Sequence, residues 1–356
     1  MTYFLKGAIH LHTTFSDGTG NINEISKAAK EAGLDWIIIT DHNKIAVEEG
    51  VYNGVYVLVG EEITPSSNSN HCIAFDIKKQ IDNVEKPLEY FQEIKKQNGF
   101  SCICHPHERL ERNNSYPAIR WEFGDFSIAD GIEIWNYFSN WANEYDDSNL
   151  LTQAYYYFFG NFLKNEPLPE TLETWDKMND GVRVPKFAIG GLDSHAIKYR
   201  KFMMTFTVYP YLTLFKTVIN VIPSKEKLPH DFEKAKNFIL NSIKTSRFFV
   251  LDQRRGNNCE MYFYAHNKTL ACTLGDSIEV DEDSEINVTL PKRAEIRLVK
   301  DGEYWLSAKR TKRANFKIKY PGTYRVEIYR YSQAWAFSNP IVFINKGGNK
   351  WTSENI

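Results

Sequence analysis

The sequence has no long apolar run. No stretch approaches the roughly 20 apolar residues of a membrane-spanning helix, and the mean hydropathy is −0.45. The first residues also lack the basic region, apolar core and small-residue cleavage site of a secretory signal. We therefore expect a cytoplasmic protein that makes no contact with a membrane.

Paired cysteines and an excess of one charge are also missing. The five cysteines are odd in number and include no Cys-x-x-Cys spacing, which argues against a disulfide framework or a thiolate zinc site. The 43 Lys and Arg residues nearly balance the 45 Asp and Glu residues, giving a net charge of −2. This balance predicts no nucleic-acid surface and no surface for anionic membranes.

The chain does contain a pair of histidines near its start, His10 and His12, at the end of a short apolar run. In a strand, residues two apart point to the same side, so both imidazoles can reach one point. Asp17 follows in the turn Ser16-Asp17-Gly18, which can return a carboxylate toward them. Taken alone, such a pair is usually an ordinary feature of a strand; the rest of the chain favours a metal site.

Apolar runs and amphipathic helices alternate over the first 200 residues. Helices are predicted over 22–32 and 87–97, and the apolar runs are 34–40, 55–59, 100–104, 131–135 and 187–191. Histidines and acids mostly follow the runs directly. This order predicts a parallel α/β barrel whose reactive face lies at the carboxyl ends of the strands.

The texture changes after about residue 245. Short alternating segments and the turns Asp301-Gly302 and Pro321-Gly322 predict an all-β sandwich. We therefore assign residues 1–245 to the barrel, with an aromatic insertion at about 138–182. Residues 246–345 form the sandwich, and residues 346–356 form a frayed tail.

The candidate metal ligands share imidazole or carboxylate chemistry, which suits zinc, manganese or iron. They are His10, His12, Asp17, His42, Glu62, His71, His105, Asp193 and His195. Nine ligands exceed the needs of one ion, so we expect two or three divalent ions bridged by carboxylates. A purely structural site is less fitting, because such sites are closed and usually mononuclear.

Ordered motifs carry a resemblance to a known family. They are His10-Leu11-His12 with Ser16-Asp17-Gly18, Thr40-Asp41-His42, Gly60-Glu61-Glu62-Ile63-Thr64, Asn70-His71, Cys104-His105-Pro106 and Leu192-Asp193-Ser194-His195. In these motifs the chain resembles the PHP (polymerase and histidinol phosphatase) family over residues 5–200. With its strand-rich end it looks like the CehA-type branch, in which an immunoglobulin-like domain follows the barrel.

The resemblance implies a distorted (β/α)7 barrel with a trinuclear site. It assigns His10 and His12 to one ion with Asp193 or Glu62, and His71 and His105 to a second ion with Glu62 bridging. Asp17, His42 and His195 would hold the third. Glu61 is a rival for Glu62, but the Gly-x-Glu-Ile pattern and strand alternation favour Glu62.

The expected activity is hydrolysis of a small phosphate ester, a phosphomonoester or a nucleotide, by a metal-bridging hydroxide. We expect His107, Asp193 and Arg200 in catalysis, with His107 as a proton donor or merely an exposed residue. Arg109, Lys198 and Arg200 are candidate partners of the substrate phosphate, although each alone is better explained as a surface charge. Glu133 and Asn136 are candidates to orient ligands, and Asp41 either does the same or only caps its turn.

Two other functions compete with this one. The same site would suit hydrolysis of a carboxylic or carbamate ester: basic residues around the pocket would favour phosphate, and a dry aromatic pocket would favour the carbonyl ester. As a non-enzyme, the chain would bind a glycan or a protein through aromatic residues of the sandwich. These are Tyr304, Trp305, Tyr329, Tyr331 and Trp335, although their alternation favours packing in the core. An accessory role beside a polymerase ranks lower.

Overall fold

The structure is a computed structural model that describes residues 2–109, 118–144, 152, 155, 164–201 and 204–346. The α-helices of these segments are α1 (Ile22–Ala32), α2 (Pro87–Lys96), α3 (Tyr137–Glu144), α4 (Pro169–Met178), α5 (Tyr211–Leu214) and α6 (Phe232–Lys244). A 3-10 helix covers Gln253–Arg255. None of the helices in the described segments is long and apolar enough to cross a bilayer.

The strands of the N-terminal part are β1 (Tyr3–Leu11), β2 (Trp36–Ile39), β3 (Gly50–Tyr52), β4 (Val55–Val59), β5 (Glu61–Ile63), β6 (Cys72–Phe75), β7 (Phe100–Ile103), β8 (Gly131–Asn136), β9 (Phe187–Ser194), β10 (Lys198–Lys201), β11 (Met204–Thr207) and β12 (Val218–Ser224). The strands that follow are β13 (Phe249–Asp252), β14 (Tyr262–His266), β15 (Ala271–Thr273), β16 (Ser277–Glu279), β17 (Glu285–Lys300), β18 (Glu303–Lys317), β19 (Gly322–Arg330), β20 (Gln333–Ser338) and β21 (Ile341–Ile344).

Helix α1 has the bounds that its sequence predicts. The Asn21 side chain accepts hydrogen bonds from the N–H groups of Asn23 and Glu24, and the Glu24 carboxylate accepts one from the N–H of Asn21. This reciprocal cap satisfies N–H groups that have no partner within the helix. Gly33 ends the helix at φ +77°, a left-handed conformation that glycine adopts without strain.

Five strand pairs of the N-terminal part are parallel, as predicted: β1–β2, β1–β9, β2–β4, β7–β8 and β8–β9. The pairs β1–β12, β3–β4, β5–β6, β6–β7 and β10–β11 are antiparallel. The prediction that strands and helices alternate and that all strands are parallel is wrong at β6, which runs antiparallel to both β5 and β7. A short connection between β5 and β6 permits an antiparallel pair, whereas a parallel pair needs a longer crossover. The count of seven strands in a closed barrel stays a prediction.

Inward-facing apolar residues fill the space between these strands and their helices. Trp36, Ile38, Leu58, Phe100 and Phe187 are buried in one cluster. The segment predicted as an aromatic insertion contains most of α3 and all of α4, and Trp175 of α4 is buried in the core. Residues 145–151, 153–154 and 156–163 of this segment lie outside the described residues.

The C-terminal part is rich in strands, as predicted, but its strands are longer than expected. Residues Glu285–Lys300 form the single strand β17, and residues Glu303–Lys317 form the single strand β18. The register of the β17–β18 pair shifts near Ala294, so irregular pairing rather than a turn separates the alternating segments. The Asp301-Gly302 turn joins the two strands as predicted. The immunoglobulin-like topology stays a prediction.

Hydrogen bonds connect the two parts of the chain without interruption. Strand β12 pairs with both β1 and β13, and β13 pairs with β20. The Asn339 side chain also accepts from the N–H of Ala188 at 2.7 Å and donates to its carbonyl oxygen at 3.2 Å. The sheet after residue 245 is therefore joined to the strand that carries Asp193.

Candidate metal centre

His10 lies near the end of β1, His12 directly follows the strand, and both reach the same acceptors. Their ring centroids are 5.2 Å apart, and both side chains are buried. The Nε2 atoms of His10 and His12 lie 3.1 and 3.2 Å from Glu62 Oε2, and 3.6 and 3.4 Å from Asp193 Oδ1. The strand therefore aims both rings at one pair of carboxylates.

The backbone at three candidate ligands is strained. His10 has φ +68°, Asp193 has φ +52° and His105 has φ +26°, in a region that residues with side chains seldom adopt. At His10 the register of β1 against β9 also shifts, as in a β-bulge. Such conformations cost on the order of 1–3 kcal/mol each and cluster at functional sites, so the fold holds these side chains against a local preference.

Glu62 lies at the centre of the histidines. Its Oε1 atom is 2.8 Å from His71 Nδ1 and 3.2 Å from His105 Nε2, while Oε2 is 3.1 Å from His42 Nδ1. His71 reaches this point because β6 is antiparallel: the residue before β6 lies at the same edge as the ends of its neighbours. Burial alone would raise the pKa of Glu62, but the charges of His42, His10 and His71 hold that pKa well below its usual range.

Asp17 lies at the mouth of the cluster. Its side chain is 57% exposed, with Oδ1 3.2 Å from His195 Nε2 and Oδ2 3.6 Å from His42 Nε2. Partial burial alone would raise the pKa of Asp17, but hydrogen bonds with His195 and His42 hold it well below its usual range. The Thr64 hydroxyl lies 2.7 Å from His42 Nδ1 and fixes the orientation of that ring.

The nine predicted ligands fall into groups whose donor atoms lie within 4.8 Å of one another. The groups are His12 with Asp17, His42 and His195; His10 with His105 and Asp193; and His42 with Glu62 and His71. This grouping by distance differs from the assignment to ions that the resemblance implies, because His12 lies with Asp17 and His105 lies with His10. A fourth group contains His10, Glu62 and Cys104.

Buried polar atoms without partners give a test of whether cations fit here. Within the described residues, no hydrogen bond of good geometry reaches His10 Nε2, His12 Nδ1 and Nε2, His71 Nε2, His105 Nδ1 or Glu62 Oε2. Buried polar atoms in native proteins nearly always have a partner, and each one without a partner is costly. The unpartnered atoms of His10, His12 and Glu62 lie among the candidate ligands and fit divalent ions, since imidazole nitrogen and carboxylate oxygen are the donors that zinc, manganese and iron take.

Residues behind the ligands orient them. Glu133 Oε1 lies 2.8 Å from His10 Nδ1, and its Oε2 accepts hydrogen bonds from the His105 N–H at 2.7 Å and the Asn136 amide at 2.9 Å. The same Asn136 amide lies 3.3 Å from Asp193 Oδ2. Glu133 therefore directs His10 Nε2 toward the centre, as expected of a carboxylate that supports a ligating histidine.

Two acids next to ligands have other roles. Asp41 accepts hydrogen bonds from the N–H and hydroxyl of Thr13, both at 2.7 Å, and from Ser16 Oγ at 2.5 Å, so it holds the loop that carries Asp17. Glu61 points away and accepts from the Ile81 N–H at 2.9 Å. Burial raises the pKa of Glu61 to about 7.

Two nearby residues escaped the sequence reasoning. Glu108 Oε2 accepts from Ser139 Oγ at 3.2 Å and lies 3.8 Å from His105 Nδ1, and burial raises its pKa to about 7. Its position three residues after His105 in the sequence is the signal that could have identified Glu108 as a neighbour of the candidate ligands. Cys104 was dismissed because it has no cysteine partner in sequence. Burial raises the pKa of its thiol well above the usual value.

His107 and Arg109, which were predicted for proton transfer and substrate binding, contact residues other than the candidate metal ligands. His107 Nδ1 is 3.0 Å from Thr171 Oγ1, its ring stacks on Phe126, and burial lowers its pKa. Arg109 Nε donates to Glu170 at 3.0 Å. Lys198 and Arg200 are exposed on the hairpin of β10 and β11.

An aromatic wall borders the cluster on the side of α3. The Phe138 ring lies 6.1 Å from the His195 ring and 5.6 Å from Trp141, and Tyr209 lies 5.0 Å from Trp141. Trp141 and Tyr209 are buried, and Phe138 is half-buried. The His195 side of the cluster is therefore apolar.

Comparisons with known proteins agree with the sequence motifs. Residues 8–158 match the family model of the PHP domain. An uncharacterized protein of Methanocaldococcus jannaschii is 28% identical over 148 residues, covering 37% of this chain and 82% of that protein. The resemblance to the PHP family is thereby confirmed.

Two solved structures are also similar. A two-domain protein of Bacteroides vulgatus, containing a predicted PHP-like metal-dependent phosphoesterase, aligns over 95% of both chains with a TM-score of 0.43 and 15% identity. A protein of Bifidobacterium adolescentis, also predicted to be a metal-dependent phosphoesterase, aligns over 53% of this chain and 87% of its own, with a TM-score of 0.32 and 14% identity.

Proposed function

We propose that this chain, which carries a PHP domain at residues 8–158, hydrolyses a small phosphate ester at a site for two or three divalent ions. The observation that carries the proposal is the convergence of six imidazoles and three carboxylates on one centre, with buried donor atoms left without partners. Divalent ions held there would acidify a coordinated water and neutralise charge on a phosphoryl group.

The three carboxylates would play different parts. Glu62 contacts His10, His12, His42, His71 and His105, which suits a ligand shared between ions. Asp193 contacts His10, His12 and His195 and suits a second shared position. Asp17 is exposed at the mouth, where a substrate would enter. All nine residues are retained as the proposed metal ligands.

The supporting residues prepare the imidazoles for this role. A histidine can ligate through one nitrogen while the N–H of the other donates a hydrogen bond to a fixed acceptor. Glu133 Oε1 is placed to accept a hydrogen bond from the Nδ1–H of His10, which would leave the lone pair of Nε2 for an ion. The chain therefore supplies an oriented donor before any ion arrives.

Arg109, Lys198 and Arg200 remain our candidates for the substrate phosphate, and His107 for protonation of the leaving oxygen. Arg109 is engaged by Glu170, so it would exchange one anion for another on binding. Lys198 and Arg200 occupy alternate positions of the hairpin that follows His195 and so share one face.

A specific observation favours the second candidate, hydrolysis of a carboxylic or carbamate ester. Phe138 lies beside His195, with Trp141 and Tyr209 packed against Phe138, and an apolar wall suits an uncharged ester better than a phosphate dianion. The two candidates share the metal site and differ only in the group that receives the attack.

Elemental analysis of the purified chain, alongside p-nitrophenyl phosphate, nucleotides, sugar phosphates and p-nitrophenyl acetate as substrates, tests the proposal. We expect two or three equivalents of metal and metal-dependent turnover of a phosphate. Faster turnover of the carboxyl ester than of every phosphate would favour the second candidate instead.

Substitution of ligands gives the first prediction. His105→Ala and Asp193→Ala should lose at least one equivalent of metal and roughly a thousandfold or more in kcat while remaining folded by circular dichroism, because charge stabilisation at the site disappears. His230→Ala, on an exposed loop, is the matched control and should behave as wild type. Retained metal and turnover in both ligand variants would reject the site.

A further inference from the structure

Cations of the C-terminal strands are concentrated on one surface. Two facing stretches of β17 and β18 present six exposed side chains that we call the basic limb: Lys292, Arg293, Lys309, Arg310, Lys312 and Arg313. Thr289 lies opposite Arg313, and Ala294 lies opposite Thr311. Arg293 Nη1 also donates to the carbonyl oxygen of Arg310 at 3.0 Å, so residues far apart in sequence meet on one surface.

The basic limb has no acidic partners of its own. Within the described residues, none of its six side chains forms an ion pair. The two acids of β17 are engaged elsewhere: Glu295 accepts from Arg297 at 2.9 Å, and Glu285 pairs with Lys317 at 2.9 Å. The hydrogen bond with Arg297 and, at longer range, the charge of Lys309 lower the pKa of Glu295, so this acid offsets only part of the charge of the basic limb, which stays net positive.

Irregular strand geometry exposes these cations. The register shifts on both sides of Ala294, and Arg310 has φ +53°, as expected where bulges bend a strand pair. In the described part of the chain β18 pairs with β17 alone, so it is an edge strand. Lysines on an edge strand can simply prevent pairing with another molecule, and the experiment below separates that role from binding.

An exposed aromatic ring adjoins the basic limb. Tyr331 is 81% exposed and follows β19, in which Tyr329 pairs with Glu295 of β17. The Arg330 guanidinium lies 4.8 Å from the centre of the Tyr331 ring, and its Nη2 atom lies 3.2 Å from the hydroxyl. The guanidinium covers one face of the Tyr331 ring, and most of the side chain stays exposed to solvent.

We propose that the basic limb and Tyr331 bind an unpaired strand of nucleic acid. Its cations would neutralise successive phosphates, and the Tyr331 ring would stack on a base. Tyr304, Trp305 and Leu306 are exposed near the start of β18, but no large apolar residue is exposed within 291–294 or 308–313, so the stretches that carry the six cations offer no apolar anchor of their own for a membrane. The net charge of −2 concealed this surface, because the sum does not reveal clustering. The surface does not depend on the metal centre.

Fluorescence anisotropy of labelled 20-nucleotide dT and U strands, measured in a metal chelator over a range of salt concentrations, tests the proposal. Replacing Lys309, Arg310, Lys312 and Arg313 with glutamine should weaken binding about 100-fold at low salt. It should also reduce the slope of log Kd against log salt by about 3, given ~0.7 per phosphate. Tyr331→Ala should weaken binding to the single strand about tenfold and change duplex binding little.

The matched control replaces Lys78, Lys79, Lys216 and Lys225, exposed lysines of the N-terminal part, with glutamine and removes the same charge. It should change Kd less than threefold. An equal loss in the control would overturn the proposal. If the variant with four glutamines still binds the nucleic-acid strands tightly and also self-associates, the cations of the basic limb serve to keep the edge strand β18 from pairing with other molecules, and the proposal is overturned. Stronger binding to vesicles containing phosphatidylserine than to either strand would reassign the surface to membranes.

Discussion

Glu133 is the residue on which the orientation of the cluster most depends. It contacts the ring of His10, the backbone of His105 and the amide of Asn136. Its hydrogen bonds reach two candidate ligands, and Asn136 extends the network to Asp193. The carboxylate therefore links ligands that come from three different strands or strand ends.

We predict that Glu133→Gln weakens metal binding roughly 10- to 100-fold, because an amide supports a ligating histidine less well than a carboxylate. Competition with a chromogenic chelator measures the affinity, and kcat should recover as metal is added in excess. Glu260→Gln, an exposed substitution of the same chemistry, is the control. Unchanged affinity would show that Glu133 has no part in orienting His10.

Gly191 provides the room that Glu133 needs. A Cβ atom at position 191 would lie 1.5 Å from Glu133 Oε1 and 3.2 Å from His10 Cβ. Gly191→Ala should therefore displace the carboxylate and lower both metal content and the melting temperature. Gly50→Ala places its Cβ no nearer than 3.5 Å to its neighbours and is the control. Full metal content in Gly191→Ala would contradict the packing described here.

At the scale of elements, α4 connects the N-terminal part of the molecule to the C-terminal strands. Arg325 of β19 donates from Nε and Nη2 to the two carboxylate oxygens of Asp176, both at 2.7 Å, and from Nη1 to Glu327 at 2.5 Å. Thr171 at the other end of α4 contacts His107. The helix thus extends from a buried ion-pair network to a loop beside the cluster.

Arg325→Ala should lower the free energy of unfolding by about 3–5 kcal/mol, because it leaves Asp176 and Glu327 buried without their cation. Urea unfolding followed by tryptophan fluorescence measures the change. Arg247→Ala breaks an exposed ion pair with Asp276 and should cost about 1 kcal/mol or less. Equal effects of the two substitutions would remove the case for a buried network.

At the scale of the whole molecule, stability and metal binding should be linked. The ligands come from strands and loops between residues 10 and 195, so an ion that binds only the folded chain stabilises all of them together. An ion at 100 times its Kd adds about 2.7 kcal/mol per site. Treatment with a chelator should lower the melting temperature by several degrees, and zinc or manganese should restore it. The same chelator, saturated with zinc beforehand, serves as the control. An unchanged melting temperature after complete metal removal would argue against ions at this centre.

The sequence by itself determined the list of candidate ligands and the coarse order of elements. Imidazoles and carboxylates placed just after apolar strands indicate one edge of a sheet, since parallel strands end on the same side. The cap at Asn21, the stop at Gly33 and the turn at Asp301-Gly302 are set by local chemistry, so residues close in sequence sufficed to predict them.

Only the tertiary structure decided how the ligands are grouped and what surrounds them. The antiparallel direction of β6, the closeness of His12 to Asp17 and the contact of Glu133 with His10 all join residues distant in sequence. The clustering of cations on the basic limb also depends on the register of two strands and was invisible in the net charge. Such relations arise from pairing and packing of the whole chain, which no local pattern encodes.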